Sequence, residues 1–243
     1  MKRLFMLQGE PFDLQDLAEL FSTGPRTVTR HDEHYYLSVE MQDNLEDEQA
    51  IALAEDELTT INGLALVTVD DYRRVRITGV SALDPTTGKL IPPLRVKVSD
   101  GIRARDSFSG AINGNPQEPQ VTQGSPGETI LALAANNNEL KNALFLYGTV
   151  DHNWRGLYMV LDAIQKGAGG RRKFYAKPWA NKAKKKAIEA FKGTSNSYDA
   201  FGADARHGPI EKQVVKKPTI GLSEARQLLR DLLNGWITEL RSQ

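Results

Sequence analysis

Apolar positions recur along this chain in two periods, and the change from one to the other falls at a stretch with almost nothing to bury. Near the N-terminus, Leu14, Leu17, Leu20 and Phe21 sit at helical spacing behind Asp13, a candidate N-cap. The segment TVTRHDEHYYLSVEM follows with β-branched and aromatic residues at Val28, Tyr35, Tyr36 and Val39, which predicts two strands around a polar turn. Ile51, Ala54, Leu58 and Ile61 then return to the helical period, and Asn62-Gly63 predicts the end of that helix. Two segments that alternate apolar and charged residues, RRVRITGVSAL and LRVKVSDGIRA, read as half-buried strands with Pro-Thr-Thr-Gly at 85–88 as the turn between them. The expected architecture of residues 1–110 is therefore an α+β domain with a small, mainly antiparallel sheet.

Residues 111–127, AINGNPQEPQVTQGSPG, are Gly, Pro, Asn, Gln and Ser, the composition of a linker. Beyond them the period is helical, and residues 128–243 are expected to form an all-α domain of the four-helix type. Ser125-Pro126 opens the first helix, which the triplet Asn136-Asn137-Asn138 is placed to divide in two. Trp154, Leu157, Tyr158, Leu161 and Ile164 form the stripe of the next, ended by the glycines within 167–170. A third, roughly Trp179 to Phe191, turns Ala183, Ala187, Ile188 and Phe191 inward. The last begins at Ser223 as N-cap and carries Leu228, Leu229, Leu232, Leu233, Trp236, Ile237 and Leu240 on one side.

Composition narrows the class. An apolar fraction of 40% and a charged fraction of 26% are those of a folded globular chain. No apolar run approaches the roughly 18 residues of a membrane span, and the N-terminal MKRLFMLQGEPFD turns acidic before a signal-peptide core develops, so a cytoplasmic protein without membrane contact is expected. The absence of cysteine excludes disulfides, thiolate metal sites and cysteine nucleophiles, and four histidines leave few routes to a transition metal. No cofactor is expected. The formal net charge of zero hides a split: residues 1–100 hold 18 acids and 10 bases, net −8, leaving 13 acids and 21 bases, net +8, in residues 101–243. Such asymmetry points to contact with a polyanion, or of one half with the other.

Three groups of residues are candidates for function. Residues 166–192 hold ten bases, among them Arg171, Arg172, Lys173, Lys182, Lys184, Lys185 and Lys186, against the single acid Glu189. Phe174, Tyr175 and Trp179 are interleaved with them. Bases attract phosphate whatever the sequence, and aromatic rings offer stacking platforms, so this is the composition of an RNA or single-stranded DNA contact. A solvated helix face with its aromatics in the core accounts for the same residues, and the acidic segment Glu40 to Glu57, eight acids and no base, is a third possible cover. The second group is Arg206-His207 on a small-residue loop, with Asn196, Ser197 and Asp204 nearby. Histidine serves as general acid or base and arginine holds phosphate, so the pair suits phosphodiester cleavage; a structural turn uses the same types. The third is Arg30, His31, Asp32, Glu33 and His34. On a strand edge the two histidines, three apart, face opposite ways, so this group reads as a solvated hairpin tip rather than a metal site.

The segment TSNSYDAFGADARHG, with PTIGLSEARQLLRDLLNGWI after it, resembles the C-terminal region of a family of uncharacterised bacterial proteins, in Asn196, Gly202, Ala205 to Gly208, Ser223 and Trp236. The chain is also loosely similar to HEPN-type helical bundles, many of them bacterial defence ribonucleases. Those enzymes place a histidine four to six residues after an arginine on a helix. Here Arg26 and His31 match that spacing, in a segment read as sheet, so the likeness implies the bundle and not the catalysis. The expectation is a non-enzymatic binding or adaptor protein that contacts nucleic acid or a partner protein through its basic helical face. The alternative is a metal-independent, HEPN-like ribonuclease using His207 and Arg206, with a place in phage defence.

Overall fold

The computed structural model describes residues 2–42, 45–84, 86–87, 89–95, 124–149, 152–196 and 220–243. Five strands, β1 (Arg3–Gln8), β2 (Arg26–His31), β3 (His34–Val39), β4 (Arg76–Leu83) and β5 (Leu90–Arg95), form one antiparallel sheet in the order β2-β3-β1-β4-β5. Helix α1 (Pro11–Leu20) connects β1 to β2, and α2 (Asp47–Thr68) connects β3 to β4. The first four strands thus follow the split βαβ arrangement, in which the N-terminal strand lies inside the sheet. The other described elements are helical: α3 (Pro126–Ala135), α4 (Asn138–Gly148), α5 (Trp154–Gly167), the one-turn α6 (Arg171–Phe174), a 3-10 turn (Pro178–Ala180), α7 (Lys182–Ser195) and α8 (Leu222–Arg241). Two compact units result, one of residues 1–58 and 71–129, the other of residues 59–70 and 130–243.

In the first unit the central strand is β1, whose apolar run Leu4-Phe5-Met6-Leu7 gives no alternation because both faces of the sheet are covered here: Leu4 and Phe5 are neighbours on opposite faces and both are buried. Phe5 pairs with Leu37, and Leu37 with Val28, so three buried side chains form one cross-strand row. The predicted hairpin is present, with Asp32-Glu33 as its two-residue loop and Asp32 at φ 51°. That loop makes His31 and His34 direct cross-strand partners on one face, contrary to the expectation that they diverge. Even so, among the described residues no group of three His, Cys, Asp or Glu is placed to hold a metal ion. Asp13 is not a cap: Glu10 occupies that position, Pro11 begins the helix, and buried Asp13 accepts a hydrogen bond from the Arg73 backbone N–H at 3.0 Å. Between β4 and β5 residues 86–87 form a turn, and the Asp84 carboxylate accepts from Thr86 N–H (2.7 Å) and Thr87 N–H (2.9 Å), contacts that hold its carboxyl below the usual range. The strand after it begins at Leu90, earlier than the pattern placed it. Pro92 and Pro93 are tolerated because β5 is at the sheet edge.

The opposite edge, β2, is closed by the start of α3. Pro25 O accepts from Glu40 N–H, which turns residues 25, 27, 29 and 31 toward β3 and residues 26, 28 and 30 outward. The outward N–H of Val28 donates to Phe21 O at 2.8 Å, and that of Arg26 donates to Glu128 Oε1 at 2.9 Å. Arg26 Nε reaches the same oxygen at 2.9 Å, and its guanidinium lies 3.3 Å from Glu57. Burial raises the Glu128 carboxyl above its ordinary range, outweighing the opposite pull of Arg26. Ser125 Oγ donates to Thr23 O at 2.8 Å, so the last residues of the expected linker are anchored.

In the second unit α5 packs against α4, α7 and α8, and α7 packs against α8. The stripe Trp154, Leu157, Tyr158, Leu161 and Ile164 is buried as expected, and so is that of α8 from Leu228 to Ile237. Each such Leu or Ile contributes about 1.5–3 kcal/mol. The Asn triplet does divide the first helical segment: Asn137 caps α4 by accepting from Leu140 N–H at 3.0 Å. At α8 the cap is Gly221, whose N–H donates to Glu224 at 2.9 Å, and Ser223 lies inside the helix.

Asn62-Gly63 does not end α2, which runs on to Thr68. Gly63 is instead where α2 meets α4. A Cβ there would overlap the Leu144 carbonyl, and one at Gly148 would overlap the Thr59 carbonyl, so two glycines allow the two backbones to touch. Gly63→Ala or Gly148→Ala is expected to destabilise the protein by about 1–3 kcal/mol despite alanine's better helix propensity. Gly193→Ala on α7, where an added Cβ meets nothing within 4 Å, is expected to stabilise by about 0.5–1 kcal/mol. Urea denaturation of the three variants checks the contrast.

Candidate nucleic-acid interface

The basic segment folds as the end of α5, α6, the 3-10 turn and α7, and the structure separates its cations into two sets. One set is tied down. Lys177 Nζ donates to Glu239 Oε1 at 2.7 Å, Trp179 Nε1 donates to Glu239 Oε2 at 2.8 Å, Lys184 lies 3.8 Å from Asp231, and Lys166 pairs with Glu139. Trp179 lies against Gly235, where a Cβ would come within 2.5 Å of the Trp179 Cβ, and meets Phe174 edge-on at 5.6 Å. Glu239 is therefore a clasp on α8 for the turn that enters α7. The hydrogen bonds from Lys177 and then Trp179 hold its carboxyl below the usual range.

The other set surrounds Tyr175. Lys185 Nζ, Lys192 Nζ and the Arg171 guanidinium lie 5.5, 5.7 and 5.9 Å from its ring centroid. Lys185, Glu189 and Lys192 are spaced i, i+4, i+7 on one side of α7, and Arg171 and Tyr175 are four apart at α6. Glu189 Oε1 accepts from the Tyr175 hydroxyl and from Arg171 at 3.1 Å. Burial and then the Glu189 hydrogen bond push the Tyr175 hydroxyl up to about 12, while that same bond holds the Glu189 carboxyl down. Arg172, Lys173 and Lys186 are exposed beside this hub and have no ion-pair partner among the described residues.

Of the expected site residues, Arg171 and Lys185 come together at Tyr175, and Arg172, Lys173 and Lys186 remain open to solvent. Lys184 is turned to Asp231. Lys182 opens α7, and its side chain lies outside the described residues, as do Arg206 and His207. The interleaved aromatics divide too: Phe174 is fully buried and Trp179 is packed on α8, leaving Tyr175 half-buried among cations. Sequence reasoning counted Glu189 merely as the one acid of the segment and did not see Glu239. The i, i+4, i+7 spacing of Lys185, Glu189 and Lys192 was the available signal for the first. Two acids of α2 find partners inside the first unit, Asp47 with Arg3 at 3.2 Å and Glu57 with Arg26.

No family model, curated protein or solved structure matches the chain. Among the described residues, no helix is long and apolar enough to cross a membrane.

Because the Glu239 carboxyl is depressed in the folded chain, its contribution is complete above the ordinary glutamate pKa of 4.5 and is lost as pH falls through the folded value. Glu239→Gln is expected to lower stability by about 1 kcal/mol at pH 7. Urea midpoints between pH 7 and pH 3 should show the variant and the wild type converging below about 4.5.

Proposed function

We propose that this protein is a non-enzymatic binding or adaptor protein of the cytoplasm, holding the phosphate backbone of single-stranded nucleic acid on the α6–α7 face. The helical part is read as a four-helix-type bundle of α4, α5, α7 and α8, with α6 as a short platform on its surface. The observation that carries the proposal is the convergence of Arg171, Lys185 and Lys192 on Tyr175 beside the exposed Arg172, Lys173 and Lys186, which have no ion-pair partner among the described residues. Structural lysines pair off, as Lys177 and Lys184 do with Glu239 and Asp231. Cations left to solvent lower the free energy of a polyanion by releasing its counterions, with no dependence on base identity.

With Phe174 buried and Trp179 pinned, stacking on several rings is not part of this reading. Recognition runs through phosphate contacts, which position a strand without specifying its sequence. A protein partner with an acidic surface is the alternative the same charges support.

The triple variant Arg172→Glu, Lys173→Glu, Lys186→Glu is expected to weaken binding of a fluorescein-labelled oligouridylate to the full chain by at least tenfold at low salt. For the wild type, log K is expected to fall linearly with log salt, at a slope of roughly −0.7 per phosphate neutralised. Unchanged anisotropy titrations in the triple variant would remove this face as the contact.

A further inference from the structure

We infer that Glu189 is a built-in competitor for the nucleic-acid phosphate, a carboxylate seated at the centre of the cationic hub where the ligand's anionic oxygens would otherwise lie. This inference rests on the binding reading above and adds to it how the site is held when empty.

Glu189 is the one acid among residues 166–192, and it lies between Lys185 and Lys192 on one side of α7. Its Oε1 accepts from two donors, the Tyr175 hydroxyl and Arg171 at 3.1 Å, while Lys185 and Lys192 lie over the same ring. An arginine and a hydroxyl on one carboxylate oxygen, with two ammonium groups over the ring that carries that hydroxyl, are groups suited to a phosphodiester oxygen, and arginine in particular recognises carboxylate and phosphate with the same planar fork. Glu189 thus holds the hub in a geometry that an incoming phosphate could take over.

The occupant is also poised to leave. Its side chain is 44% exposed and that of Arg171 66%, and exposed pairs of this kind contribute little, so rotating Glu189 to water is cheap for a ligand that brings several phosphates. A lone monovalent anion offers no such multiplicity and does not displace a tethered carboxylate, whose effective concentration is high. The result is a threshold that favours polyanions over small anions, set by one residue.

The test uses the full chain, a labelled oligouridylate and fluorescence anisotropy over a salt series. Glu189→Gln, which keeps the shape of the side chain and removes its charge, is expected to bind roughly fivefold more tightly than wild type, a gain of about 1 kcal/mol. Asp231→Asn is the control. Asp231, on α8, is an equally exposed acid, 45%, paired with Lys184 of α7 but outside the hub. It is expected to stay within about twofold of wild type, since surface pairs contribute little. Thermal melts of both variants check that folding is unchanged.

Equal gains in the two variants would mean that Glu189 acts only through net charge, and would overturn the inference. Weaker or unchanged binding by Glu189→Gln, with binding still weakened at least tenfold by the triple charge reversal, would overturn it and leave the binding function standing. Binding by Glu189→Gln where wild type shows none would support it strongly. Absence of binding by every variant would remove both readings together.

Discussion

The helical unit depends on how closely two backbones can approach. At Gly63 and Gly148 the chain carries no Cβ, and α2 and α4 touch along their main chains, so the position of α4 is set by covalent geometry rather than by adjustable side chains. The rest of the unit is built outward from that end of α4. Tyr147, the residue before Gly148, donates its hydroxyl to Arg226 O on α8 at 3.1 Å and stacks on His152, while Arg226 returns a bond to His152 O at 3.1 Å. From there α5 begins, and its Gly167 end accepts the ring of Trp236. The hub at Tyr175 lies just beyond, held by the Glu239 clasp. A surface of solvated cations is thereby mounted on contacts that have little room to give.

Much of this was legible in the sequence wherever one face of an element meets water. The α5 stripe and the hairpin at Asp32-Glu33 show their periods because their outer positions are polar. β1 shows none, because Leu4 and Phe5 are buried on opposite faces, and so short an apolar run carries no period to distinguish strand from helix. Gly63 was misread for a related reason. A glycine that ends a helix and one that admits another backbone look alike until the partner, Leu144, is known. Pro92 and Pro93 disguised β5 because edge position is a property of the whole sheet. At the candidate site the cations themselves were plain. Their division into tied and open sets was not, since Glu239 lies 62 residues from Lys177 and 60 from Trp179.

The opposite charges of the two parts of the chain take on a local meaning. Asp47 and Glu57 are matched by Arg3 and Arg26 within the first unit, so part of that unit's acidity serves its own arginines. On α6 and α7 the matching is incomplete among the described residues: Glu189 serves Arg171 and Tyr175 together, and Arg172, Lys173 and Lys186 are exposed with no ion-pair partner there. An isolated surface pair contributes little to folding, so the distribution bears on recognition more than on stability.

The carboxylate of Glu128 on the rim of β2 has a consequence for crowded solutions. A bare strand rim is a template on which a second molecule can lay its own strand and begin a fibril. Here Glu128 and the Phe21 carbonyl occupy two of the three outward N–H groups, leaving Arg30, next to the hairpin bend and carrying a charge of its own. At the far rim Pro92 and Pro93 lack the N–H that templating needs. Both ends of the sheet are thus poor seeds for amyloid growth, one by borrowing an acid from a helix 102 residues away and the other by imino acids in the strand itself.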